Sequence, residues 1–206
     1  LLKSTGFDGD PRAFVRAAGR RFPRDLILSH DLLEGSYART GLVSDIELRE
    51  HHPLSYGTEV RRRHRWIRGD WQIGQWLTRS VPGPRRSVLL NTLSAYHRWK
   101  ILDNLRRSLV PLAFMAVWLR GWLLSPRPTF WTLLLLTLFF AQPLLASLHG
   151  LLFKPARTRW VEHVRLWRRA TGKRLGQTLL QLTMLPFEAV INMDAIVRTC
   201  FRMLFT

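Results

Sequence analysis

The residues best suited to chemistry stand together at 61–72, Arg-Arg-Arg-His-Arg-Trp-Ile-Arg-Gly-Asp-Trp-Gln, with five arginines and two tryptophans in twelve residues. An arginine presents a planar fork of donors that matches phosphate oxygens in pairs. A neighbouring tryptophan presents a flat face on which a sugar ring can stack. Arg62, Arg65 and Trp66 form R-x-x-R-W. The same stretch also reads as a solvated basic helix held at anionic lipid. A second group lies upstream, Ser29-His30-Asp31-Leu32-Leu33-Glu34-Gly35, after the short apolar run 26–28. Ser29 is a fitting N-cap, and Asp31 and Glu34 then share a helical face. A carboxylate at a strand end and helix start is well placed to act in a cleft. The alternative is that both acids only complement the helix dipole.

Other combinations carry less. Asp8-Gly9-Asp10 has the D-x-D form of a metal–nucleotide site, but Asp and Gly are also plain turn formers. His51-His52 is not a metal motif, because adjacent residues on an extended chain point to opposite faces. The single Cys200 rules out an intrachain disulfide and supplies no metal cluster.

The elements that must position these residues divide the chain unevenly. Residues 1–108 are mixed and polar; within them 1–90 carry a helix after Pro11, short strands at 26–28 and 41–43, and a long helix from Thr58 to Leu77 ended by Pro82-Gly83-Pro84. At 91–108, Leu93, Tyr96, Trp99, Leu102 and Leu105 recur at helical spacing. Arg98, Lys100, Arg106 and Arg107 face otherwise, the pattern of a helix lying on a membrane surface or packed on the soluble part. Within 109–149, the runs 109–124 and 129–148 are each close to the roughly 20 apolar residues that cross a bilayer. The tight link Ser125-Pro-Arg-Pro128 makes them a hairpin. Basic residues crowd its two ends and only Arg127 sits in the link, so both ends are expected on the cytoplasmic side. Residues 150–206 read as a basic segment followed by an apolar helix at 175–205. Glu188 and Asp194 favour an interfacial position for it over a third span.

A net charge of +18 suits anionic lipid, nucleic acid or a phosphorylated substrate, while 47% hydrophobic residues and nine tryptophans exclude a disordered basic tail. Nucleic acid is not expected, since the arginines come with tryptophans and membrane-like runs rather than a nucleic-acid motif. Leu1 is no initiator Met and the last residues stop inside an apolar pattern, so the chain reads as an internal piece of a larger polypeptide.

An acidic element after a strand, then R-x-x-R-W, then an interfacial helix and membrane spans: this order resembles the family 2-like processive membrane glycosyltransferases. Residues 28–35, 61–72 and Asp103-Asn-Leu-Arg-Arg-Ser-Leu109 look like the transferase part of cyclic β-1,2-glucan synthases, and Pro186-Phe-Glu with Asp194-Ala-Ile-Val-Arg-Thr199 resembles the segment after its spans. The resemblance implies the C-terminal half of a GT-A-like α/β domain with a helical membrane anchor. It implies inverting transfer of glucose from UDP-glucose to a growing β-1,2-glucan at the bacterial inner membrane, the soluble part being cytoplasmic. Asp31 takes the place of the general base. Arg62, Arg65 and Trp66 take the diphosphate and acceptor side, with His30, Glu34 and Gly35 as neighbouring substrate contacts. His30 and Arg62 stand where the wider family has Glu and Gln. Mg²⁺ or Mn²⁺ is implied too, its ligands belonging to an upstream donor-binding half without a counterpart here. A phosphorylase-like part is expected downstream, and residues 1–206 alone are expected to be inactive. The alternative function is a non-enzymatic basic membrane protein that binds anionic lipid.

Overall fold

A computed structural model describes residues 22, 27–28, 31–38, 55–84, 87–156 and 158–205. They form two compact units, one built from residues up to Leu109 together with those from Ile191 onward, the other from Val110–Val190.

In the first unit, helix α1 (Asp31–Tyr37) is short and buries Leu33 and Ser36. Helix α2 (Tyr56–Gln72) starts at Ser55, whose Oγ accepts from Thr58 N at 3.3 Å, with Glu59 in the first turn. It tightens at Ile73 into one 3₁₀ segment, Ile73–Leu77, where Ile73 and Trp76 are buried. The expected helix over 58–77 is thus an α-helix closed by a narrower turn. Pro82-Gly83-Pro84 is not a helix stop. It begins the turn of an antiparallel hairpin, β1 (Ser80–Pro82) with β2 (Val88–Leu90), in which Val81 faces Leu89. Gly83 N donates to Ser87 O at 2.7 Å, and a Cβ at Gly83 would stand 2.6 Å from Ser87 Oγ and 2.8 Å from Leu89 Cγ. Only glycine lets the two strands close there.

Asn91 fastens the hairpin to the 3₁₀ segment, its Nδ2 donating to Trp76 O at 2.6 Å and Thr78 O at 2.7 Å. Ile27, Leu33, Ile73, Trp76, Val81, Leu93 and Ile101 make the core of this unit. Burying an aliphatic side chain such as Ile101 fully contributes about 1.5–3 kcal/mol. Helix α3 (Ala95–Leu124) runs without a break through the expected junction at 108/109. It turns Ile101 and Ser108 inward and leaves Tyr96, Trp99 and Leu102 exposed.

The second unit is a packing of helices. It contains the later part of α3, helix α4 (Pro128–Leu152) and the first thirty or so residues of helix α5 (Trp160–Phe205), which is one helix of 46 residues rather than a basic segment followed by a helix. Gly121 lies against Trp131: a Cβ there would be 2.5 Å from that side chain, so the hairpin link closes only over a glycine. Trp122 Nε1 donates to Thr132 Oγ1 at 2.9 Å beside it. At the other end of α4, Trp167 Nε1 donates to Ser147 O at 2.7 Å and Arg174 Nη1 to Ala146 O at 3.3 Å.

Helices α3, α4 and α5 are each long and apolar enough to cross a membrane, and only 11%, 11% and 22% of their most apolar stretches are buried within the protein. That much uncovered apolar surface fits a membrane protein. The third such helix includes the region for which the sequence favours an interfacial position.

The α/β expectation holds only in part. The described residues are mostly helical, with one two-stranded sheet, and they do not display a GT-A-like half. Ile27 and Leu28 lie outside regular strands, and the expected strand at 41–43, the helix after Pro11 and the Asp8–Asp10 loop fall outside the described residues.

Candidate active site

Helix α2 presents the arginine stretch in two directions. Ile67 and Gly69 point inward and are buried, while Arg65 and Trp66 are exposed. Arg62, one turn earlier, is half-buried and already engaged. Its Nη2 lies 2.6 Å from Glu59 Oε2, and its guanidinium carbon stands 4.7 Å from the Trp66 ring centroid. A guanidinium over an indole face is attracted by the ring quadrupole. Arg62 therefore takes one face of Trp66, and the i, i+3, i+4 spacing brings Arg62, Arg65 and Trp66 to one side of the helix. Among the described residues Arg65 has no ion pair or hydrogen-bonded side-chain partner, so its fork is open to an incoming anion.

The acidic group sits on α1. Asp31 is exposed and Glu34 half-buried in its first turn, with half-buried Gly35 beside them; His30 lies outside the described residues. Leu33 in the core anchors this helix. The chain just ahead of it is tied to α2, since Leu28 N donates to the Gln72 side-chain oxygen at 2.7 Å. So α1 shares a core with the 3₁₀ segment that follows α2, and the chain ahead of α1 is bonded to the end of α2, while no hydrogen bond or ion pair among the described residues joins Asp31 to Arg62, Arg65 or Trp66.

Three further α2 residues escape a reading by spacing, because their partners are far away in sequence. His64 Nε2 lies 2.9 Å from Asp194 Oδ2, and Asp194 Oδ1 accepts from Arg198 Nε at 2.7 Å. Asp70 Oδ1 accepts from Asn104 Nδ2 at 3.1 Å. Burial pushes the Asp70 carboxyl above the usual carboxylate range, and the Asn104 hydrogen bond and the nearby Arg107 charge pull the other way. Trp71 Nε1 donates to Ser108 Oγ at 3.0 Å, and Ser108 O accepts from Asn192 Nδ2 at 2.8 Å.

These contacts explain the polar pattern at 103–109. Asp103 neutralises Arg106 and Arg107 at 2.8 and 3.2 Å, leaving Asn104 and Ser108 to receive α2. The available signal was the co-occurrence of stretches 61–72, 103–109 and 194–199, which turn out to touch.

Among the described residues no group of three or more His, Cys, Asp or Glu side chains gathers to hold a metal ion. The described residues therefore offer no ligand set for the Mg²⁺ or Mn²⁺ that the resemblance implies.

No family model matches the chain. It is 40% identical over 194 residues to cyclic beta-(1,2)-glucan synthase NdvB of Rhizobium meliloti (strain 1021), an alignment that takes in 92% of this chain. The chain spans about 6% of the length of that relative. The resemblance carried by the motifs and the identity along the chain agree, and over nearly its whole length this chain is similar to one short stretch of a cyclic β-1,2-glucan synthase.

Proposed function

We propose that this chain forms the acceptor and leaving-group side of a membrane glucosyltransferase that extends a β-1,2-glucan from UDP-glucose with inversion. The observation that carries the reading is the open pair Arg65 and Trp66 on α2, within a chain 40% identical over 194 residues to part of a cyclic β-(1,2)-glucan synthase. Asp31 removes the proton from the acceptor hydroxyl as that oxygen attacks the anomeric carbon. The bond from that carbon to the diphosphate breaks on the opposite side, and its electron pair leaves with UDP. Arg65 meets the charge that grows on the diphosphate, which is where a fixed donor acts most strongly. Trp66 stacks the acceptor ring on the face that Arg62 leaves free, and Glu34, Gly35 and His30 shape the acceptor side beside Asp31. The donor-binding half and its metal would come from the rest of a longer polypeptide, so residues 1–206 alone would not transfer glucose. The three long apolar helices support a membrane-anchored enzyme, and the basic residues at both ends of the hairpin favour a sugar-transfer part on the cytoplasmic side.

The test is Asp31→Asn in the intact parent, read as glucose incorporated into glucan. Loss of a general base typically lowers rate ~10²–10⁴-fold, with membrane insertion unchanged. Near-normal transfer would remove Asp31 from the mechanism and make Glu34 the next base to test.

A further inference from the structure

The first turns of α5 carry a feature to which the proposed transfer chemistry assigns no role. Trp160, Val161, Val164, Arg165, Arg168 and Arg169 line an open groove of about 750 Å³. The adjoining side of the same turns is committed to α4. His163 Nε2 lies 3.2 Å from Leu151 O, Trp167 bonds Ser147 O, and Arg174 bonds Ala146 O. These partners belong to the last two turns of α4, so the groove lies level with the end of an apolar helix. Its three guanidiniums have no hydrogen bond or ion pair among the described residues. Glu162 is the single acid between residues 155 and 185. Trp160 and Val161 remain 61% and 76% exposed, although the Lys154 ammonium stands 5.5 Å from the Trp160 ring and steadies it.

A groove with aliphatic and indole walls beside three unspent guanidiniums, at the end of an apolar helix, suits a molecule with an anionic head and an apolar tail. Arginine forks hold phosphate oxygens in pairs, and tryptophan favours the boundary between apolar and wet regions. We propose that this face of α5 is a binding site for an anionic phospholipid, its phosphate held by Arg165, Arg168 and Arg169 and its acyl chain laid against Trp160, Val161 and Val164. The inference rests on the membrane placement of α4 and α5 and is independent of the transfer chemistry.

The experiment uses the purified full chain in lipid nanodiscs containing phosphatidylglycerol and phosphatidylcholine, with protein-bound lipid counted by native mass spectrometry. The chain should retain phosphatidylglycerol selectively, and raised salt should release it. Arg165→Gln, Arg168→Gln and Arg169→Gln together should weaken retention on the order of a hundredfold, about fivefold for each charge near an anionic surface. Trp160→Ala, which leaves every charge in place, should weaken retention several-fold and covers the case that the triple variant does not fold. Undiminished selectivity in either folded variant, or salt-insensitive retention by the unaltered chain, would overturn the proposal. Release of the lipid by inorganic phosphate alone at low concentration would also overturn it, marking the groove as a site for a soluble phosphate.

Discussion

His64 and Asp194, 130 residues apart, meet at 2.9 Å. The carboxylate that receives His64 also holds Arg198 one turn further along α5. One acidic side chain thus joins the last turns of α5 to the middle of α2, next to Arg65 and Trp66. The pair is partly exposed, so it orients α2 more than it stabilises the fold. Asp194→Ala should release this tie: hydrogen exchange over residues 61–67 should quicken and glucan transfer by the parent should fall several-fold, chiefly in kcat. Asp194→Asn, which can still bond His64, should retain most of both. Equal loss in the two variants would mean that charge, not positioning, is what Asp194 supplies.

Arg65 and Trp66 separate the enzymatic reading from lipid attachment. If Arg65 meets the diphosphate, Arg65→Lys should cost ~10²–10³-fold in transfer, the range for losing a donor aimed at developing charge, because a point charge does not reproduce a planar fork. Trp66→Ala should mainly raise KM for the acceptor. Membrane partitioning should be unchanged in both. A lipid-binding helix predicts the reverse, with Arg65→Lys silent and each neutralisation among Arg61, Arg62, Arg63 and Arg68 weakening attachment by roughly 1 kcal/mol. Transfer rate and partitioning measured on the same preparations distinguish the two.

Asp70 gives a pH signature. Its carboxyl is raised in the folded state through burial, so the folded protein holds this proton more tightly than the unfolded chain does. The sign follows: Asp70 costs no stability below the ordinary carboxylate pKa, and the cost appears as pH rises through its folded value and persists at neutral pH. Asp70→Asn should therefore raise the melting temperature modestly at neutral pH, leave it unchanged in acid, and flatten the slope between. Thermal melts across that range check it. A drop in stability at neutral pH would mean that the contacts with Asn104 and Arg107 outweigh burial.

The joint at Ser108 should be among the most sensitive places in the first unit. Asn192 is 4% exposed and donates to a backbone carbonyl that is itself shielded from water. Asn192→Leu leaves that carbonyl without its side-chain donor and should cost about 1–3 kcal/mol. Trp71→Phe removes one hydrogen bond to Ser108 Oγ and keeps most of the packing, at about 1 kcal/mol. Chemical denaturation of the detergent-solubilised chain would show the order; a larger loss for Trp71→Phe would place the strain in α2 instead.

Much of this molecule was written in local pattern. Helical periodicity and the apolar runs after Leu109 specified long helices, because 3.6-residue spacing and run length report the geometry of single elements. The R-x-x-R-W stretch was expected on a long helix and lies on one, where i, i+3, i+4 spacing brings Arg62, Arg65 and Trp66 to one side. Turn chemistry was read less well. Pro82-Gly83-Pro84 can stop a helix or shape a hairpin, and only the packing of Val81 into the core with Trp76 decided for the hairpin. The single long course of α5 was likewise undecided by composition, since its basic first turns are held helical by Trp167 and Arg174 on α4 carbonyls. What only the tertiary structure decided is the set of partners. His64 with Asp194, Asp70 with Asn104, and Trp71 with Ser108 join residues dozens to more than a hundred positions apart. Periodicity tells a residue which way to face; which residue it meets there depends on how separate helices close around one core.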